Sequence, residues 1–156
     1  MRSKAPFAVP VLLALITLPA TLARASGDDD KSPDQQSIDA LQTRVNQAQP
    51  RQQFFLYAQL AHDMTELSLR QYAAGDAEKA AQMLKNIQQV ATKIHNSVSD
   101  DNKRLKDAEI LLRRTAFRLT EMLRTSSFED RPLVEQTLAD VNKAQNDAML
   151  QVFRNK

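Results

Sequence analysis

The chain has 156 residues, 21 of them basic and 19 acidic, with two glycines and no cysteine. Disulfides, thiolate metal sites and cysteine nucleophiles are therefore excluded. Phosphate-cradling loops and dinucleotide turns are excluded too, because they need several glycines close together for the backbone to approach its ligand.

Met1 to Ala25 reads as a secretory signal peptide: Arg2 and Lys4 lead, Phe7 to Leu22 is apolar apart from Thr17 and Thr21, and Ala23-Arg24-Ala25 is a small-x-small cleavage pattern. The apolar run holds Pro10 and Pro19 and falls short of the ~20 apolar residues of a spanning helix. No cysteine follows it, so it is not the leader of a lipid-modified chain. Cleavage near Ala25 predicts a periplasmic or secreted protein of 131 residues starting near Ser26. Arg2, Lys4 and Arg24 leave with the signal, so 18 bases face 19 acids and the net charge becomes −1. The basic isoelectric point is then no argument for a nucleic-acid partner.

Residues 26–31, with Asp28-Asp29-Asp30, read as a disordered polar leader. Residues 32–156 read as a single helical domain, long enough to bury a core without disulfides. Ser32-Pro33-Asp34 predicts a helix start, and Ile38, Leu41, Val45 and Ala48 repeat at helical spacing until Pro50 ends or kinks the helix. A second helix is expected over 51–74, with Phe54, Ala58, Ala61, Met64, Leu67 and Tyr72 on one face and Tyr57 and Leu60 beside them. Gly75 stops it, and Asp76 caps a third helix striped by Ala80, Leu84, Ile87, Ala91, Ile94 and Val98. Ser99 or Asp100 is expected to cap a fourth, lined by Leu105, Ala108, Leu112, Ala116, Leu119 and Leu123. Ser127 and Asp130 resemble a capping box, Pro132 sits in the first turn, and Val134, Leu138, Val141, Ala148 and Val152 line the last helix. No segment alternates with period two. The fold class is all-α: an antiparallel up-down bundle of four long helices joined by short turns, with an extra N-terminal helix.

The stretch from Ala61 to Ile87 resembles one tetratricopeptide repeat. Leu67 and Ser68 stand at its helix-packing positions, Gly75-Asp76 at its turn, and Ala80 and Leu84 at the small and large positions of its second helix. The third helix continues past the point where that repeat ends, and no second copy follows at its period, so the resemblance implies a helical hairpin and not a solenoid. Residues 103–132 are similar to a group of uncharacterised exported bacterial helical proteins, which implies a location and no activity.

His62 and His95 are the only histidines. In a hairpin turning at Gly75 they lie ~9 Å out of register, and neither follows a glutamate at the di-iron spacing. Both read as ordinary polar residues, and no metal or other cofactor is expected. Asp63 with Glu66, and Asp107 with Glu109, read as surface acids among bases; no pocket that would separate their pKa values is foreseen. No strand-turn-helix elbow exposes a serine, so the chain is read as non-enzymatic.

The fourth helix carries the candidate contact surface. Residues 103–124 hold seven bases and three acids. Lys106, Arg113 and Arg124 fall within ~20° of one another on the helix, with Ile110 and Phe117 beside them and the leucine stripe on the far side. Apolar residues flanked by cations suit a protein partner or a second copy of the chain. An anionic membrane surface ranks behind these, nucleic acid ranks last, and no small-molecule substrate is implied. The sequence thus points to an exported adaptor or self-associating scaffold. A periplasmic chaperone-like or stress-response protein is one alternative, and a small-molecule or haem-binding bundle is another.

Overall fold

Asp34 fixes the start of the first helix. Its carboxylate accepts from the Ser37 N–H at 2.8 Å, while the Ser37 hydroxyl oxygen accepts from the Asp34 N–H at 2.9 Å. This reciprocal box satisfies two backbone donors at once, so the cap is Asp34 and not Ser32. The computed structural model describes residues 32–99 and 101–154. The expected signal peptide, the leader and Asp100 lie outside the described residues.

Five helices form: α1 (Gln35–Gln47), α2 (Pro50–Ala73), α3 (Ala77–Asn96), α4 (Leu105–Thr125) and α5 (Arg131–Arg154). The described residues include no strand, as the periodicity implies. Pro50 opens α2 at its first turn and does not kink α1, which has already ended in the extended Ala48. Gly75 turns the chain at φ 85°. Asp76 precedes α3, but its carboxylate pairs with Lys79 at 3.2 Å and does not cap.

The largest departure from the sequence reading lies before α4. Ser99 does not cap it; α4 starts at Leu105, after Arg104 in the left-handed region at φ 58°. The buried Asn102 holds the connection, donating to the Ser97 carbonyl at 2.9 Å and accepting from the Ser99 hydroxyl at 3.0 Å. Ser127 and Asp130 do pair, with the Asp130 N–H donating to the Ser127 hydroxyl oxygen at 3.1 Å, but they brace the turn just before α5.

The stripes read from sequence supply most of the core. Phe54, Leu60, Leu84, Ile87, Leu112, Leu119 and Val134 are among its buried side chains, whereas Leu67, Tyr72, Val98, Leu123, Leu138 and Val152 lie at its margin. Thr65, Thr115 and Thr137 are also fully buried, each returning its hydroxyl to the carbonyl four residues earlier at 2.8 Å. A threonine that hides its own proton in this way sits in a core without an unmade hydrogen bond.

Packing joins α2 to α3, α4 to α5, α2 to α4 and α3 to α5, while α1 packs on α2 alone. Among the described residues the backbones of α3 and α4 do not approach each other closely. Cross-helix bonds give the directions. His62 meets Thr115, Glu66 meets Arg118, and the Tyr72 hydroxyl accepts from the Ser127 N–H, so α2 and α4 run parallel. Gln88 meets Thr137 and His95 meets Asp147, so α3 and α5 are parallel as well. Two helical hairpins therefore lie side by side. A turn of two to five residues would have forced α4 against α3. The eight residues 97–104 instead carry the chain across to α2, where the Lys103 N–H donates to the Arg51 carbonyl at 2.8 Å.

Candidate functional site

The outward side of α4 carries the residues singled out from sequence. Lys106, Arg113, Phe117 and Arg124 are exposed, and Ile110 is half-buried. Phe117 keeps 60% of its surface. The core takes Leu105, Ala108, Leu112 and Leu119 from the other side of the same helix, which is why Phe117 points away from it. α1 does not reach α4, so neither Ile110 nor Phe117 is covered by it. Arg113 approaches the half-buried Glu109 only at 4.0 Å, and its own side chain stays exposed, so the pair is weakly held. The other large apolar side chains left exposed among the described residues are Phe128, Met149, Leu150 and Phe153, all in α5 or in the turn leading to it.

A second feature is a groove that the sequence did not reveal. α1 and α4 flank α2 without touching each other, and the outer ridge of α2 forms a floor between them. Two cavities of about 480 and 350 Å³ follow this floor and share Phe55, Gln59 and Arg104. The larger is lined by Arg44 and Gln47 of α1, by Gln52, Phe55 and Leu56 of α2, and by Lys103 and Arg104 at the entrance to α4; no carboxylate among the described residues lines it. The smaller adds Asp63, Asp107, Ile110, Leu111 and Arg114. Arg104 joins the two halves: its guanidinium lies 3.6 Å over the Phe55 ring and its Nε donates to Asp107 at 2.8 Å.

Beyond the smaller cavity, α2 and α4 are locked by charge. Arg118 donates to both oxygens of Glu66, at 2.7 and 3.0 Å, and also to Glu121. The hydrogen bond to Glu66 is the main reason that its pKa is raised still further. Asp63 lacks such a partner. Burial, with the nearby Glu66 charge adding to it, pushes its carboxyl up to about 6. Asp63 is thus a half-buried groove residue, and the reading of it as a surface acid is corrected.

The two histidines occupy separate helix pairs. His62 Nδ1 lies 3.3 Å from the Thr115 hydroxyl, and burial lowers its pKa against the pull of Glu66, with Arg114 and Arg118 lowering it further. His95 Nδ1 lies 2.6 Å from Asp147. No group of three or more potential metal ligands occurs among the described residues, and no helix there is long and apolar enough to cross a membrane.

Only part of the groove could have been found from the sequence. Lys103 and Arg104 stand out there as bases, but the sequence extends the fourth helix over them, whereas they precede its start at Leu105. Arg44 sits 59 residues away from Lys103 on a different helix, and only the packing of α1 and α4 on α2 brings them to one cavity. Compared with known proteins, the chain matches no family model, no curated protein and no solved structure.

Proposed function

We propose that the chain is an exported, non-enzymatic helical protein that binds a protein partner or a second copy of itself through the outward side of the α4–α5 hairpin. On this reading the four long helices form an up-down bundle that acts as a rigid support. One observation carries the proposal: every large apolar side chain that stays exposed among the described residues belongs to this hairpin, and Phe117 stands in it beside Lys106, Arg113 and Arg124. An exposed apolar group rimmed by cations matches the centre-and-rim pattern of protein contacts. Ile110 extends the surface toward the groove.

Sedimentation velocity of the chain without residues 1–25, over a hundredfold concentration range, tests self-association. The wild type is expected to show a concentration-dependent larger species, and Phe117→Asp to abolish it with unchanged helical circular dichroism. Loss of helicity in Phe117→Asp would place this ring in the core and remove the proposal. A wild type that stays monomeric throughout would leave a heterologous partner as its surviving form. The chaperone-like alternative draws on the same apolar and cationic surface. Suppression of aggregation of an unrelated unfolded protein by the wild type, but not by Phe117→Asp, would favour it.

A further inference from the structure

The groove between α1 and α4 is a second surface, adjoining that of Phe117 at Ile110, and it has a definite chemistry. Its larger half presents Arg44, Lys103 and Arg104, with no carboxylate in its lining among the described residues. Arg44 and Lys103 make no ion pair within 4 Å among the described residues. The apolar part of the floor is Phe55 and Leu56, and Gln52 and Gln59 continue it with amides. These positions repeat every three or four residues along one helix ridge. The floor from Gln52 to Asp63 is ~16 Å long, the length of an eleven-residue helix laid beside it.

We propose that this groove takes an acidic amphipathic helix from a partner protein, with its carboxylates against Arg44, Lys103 and Arg104 and its apolar stripe on Phe55 and Leu56. A straight ridge between two helical walls is the shape that a helix in a groove requires. Arg44 and Lys103 have no carboxylate within 4 Å among the described residues, and with Arg104, which also bonds Asp107, they select for negative charge at the larger half, mainly through encounter rate and discrimination. A small anionic ligand would be poorly enclosed, since the cavities are open along their length, whereas small-molecule sites cover most of the ligand's surface. Single-stranded nucleic acid needs several aromatic faces for stacking, and among the described residues Phe55 is the one aromatic side chain that lines the cavities. A second copy is disfavoured because the chain's own exposed apolar surface on α4 carries Lys106, Arg113 and Arg124, which would bring cations to cations.

The proposal is tested with a synthetic amphipathic helical peptide of sixteen residues, bearing leucines at helical spacing with glutamates beside them, and with the same peptide carrying glutamine for every glutamate. Binding to the chain without residues 1–25 is followed by fluorescence anisotropy, and the site is located by hydrogen exchange. The acidic peptide is expected to bind, to gain helicity and to protect α1 and the first half of α2. The glutamine peptide and the double variant Arg44→Glu/Lys103→Glu should each weaken binding by about tenfold or more. Both substituted side chains are exposed, and an unchanged thermal melt confirms that the variant is folded. Phe117→Asp should bind the acidic peptide as the wild type does, which keeps this site distinct from the outward surface of α4. Equal binding of both peptides, or no effect of the charge reversal in a folded variant, would overturn the proposal. Inorganic phosphate binding as tightly as the acidic peptide would also overturn it, in favour of a small-anion site.

Discussion

Asp63 is the carboxylate that the fold treats most unfavourably. Its pKa stands near 6 against an ordinary 3.8, so the folded chain holds this proton more tightly than the unfolded chain does. The stabilising effect is complete below pH 4 and is lost as pH rises through 6. Asp63→Asn should therefore raise stability at pH 7 by about 1 kcal/mol, a value reduced for solvent screening of a half-exposed group, and change little at pH 4. His62 acts in the opposite sense: its lowered pKa keeps it neutral in the fold, and stability is lost as pH falls below 6.5. Thermal melts of the wild type and Asp63→Asn from pH 4 to 7.5 separate the two groups. Arg104 poses a different residue-scale question. Its left-handed backbone costs a side-chain-bearing residue about 1 kcal/mol, and its stacking on Phe55 returns a similar amount. Arg104→Gly is thus expected to leave the melting temperature within about 3 °C of the wild type, although the groove loses a cation. Neither role was legible in the sequence, because the surroundings of Asp63 and Arg104 are supplied by residues about 50 positions away.

At the level of the helices, the sequence was far more readable. Apolar spacing located all five, because a helix that buries one face must repeat its apolar residues every three or four positions. The stripes passed over Thr65, Thr115 and Thr137, whose burial depends on a hydroxyl turned back on its own helix. The start of α4 is hidden in the sequence for a related reason. Ser99 and the acids after it look like a helix cap, but the Asn102 amide and the long-range bond from Lys103 to Arg51 settle that segment as a loop. Gly75 was placed correctly, since the short turn between α2 and α3 needs a residue that tolerates positive φ. A methyl group there would meet nothing within 4 Å, so Gly75→Ala isolates the backbone cost. It should destabilise the chain by about 1 kcal/mol, read from the urea midpoint with an unchanged slope.

For the whole molecule, the order of packing matters more than the number of helices. α1 rests on α2 alone, whereas each of the other four helices has at least two helical neighbours. Local opening follows such differences in support, so the amides of α1 are expected to exchange fastest among the five helices; protection of α1 equal to that of α3 would contradict this. The sequence left open whether the first helix packs on the others, because one polar helix with three strong apolar positions fits either arrangement. The side-by-side hairpins also set a rule of symmetry. α1 occupies one flank of α2, and no described helix packs beyond α4, so the two ends of the stack are unlike. Copies that join patch to patch through the α4–α5 hairpin would close after two chains about a twofold axis. Head-to-tail growth would instead set that hairpin against the α2–α3 side, where α1 covers part of α2 and leaves α3 without a further helix, so the two modes of assembly meet different surfaces.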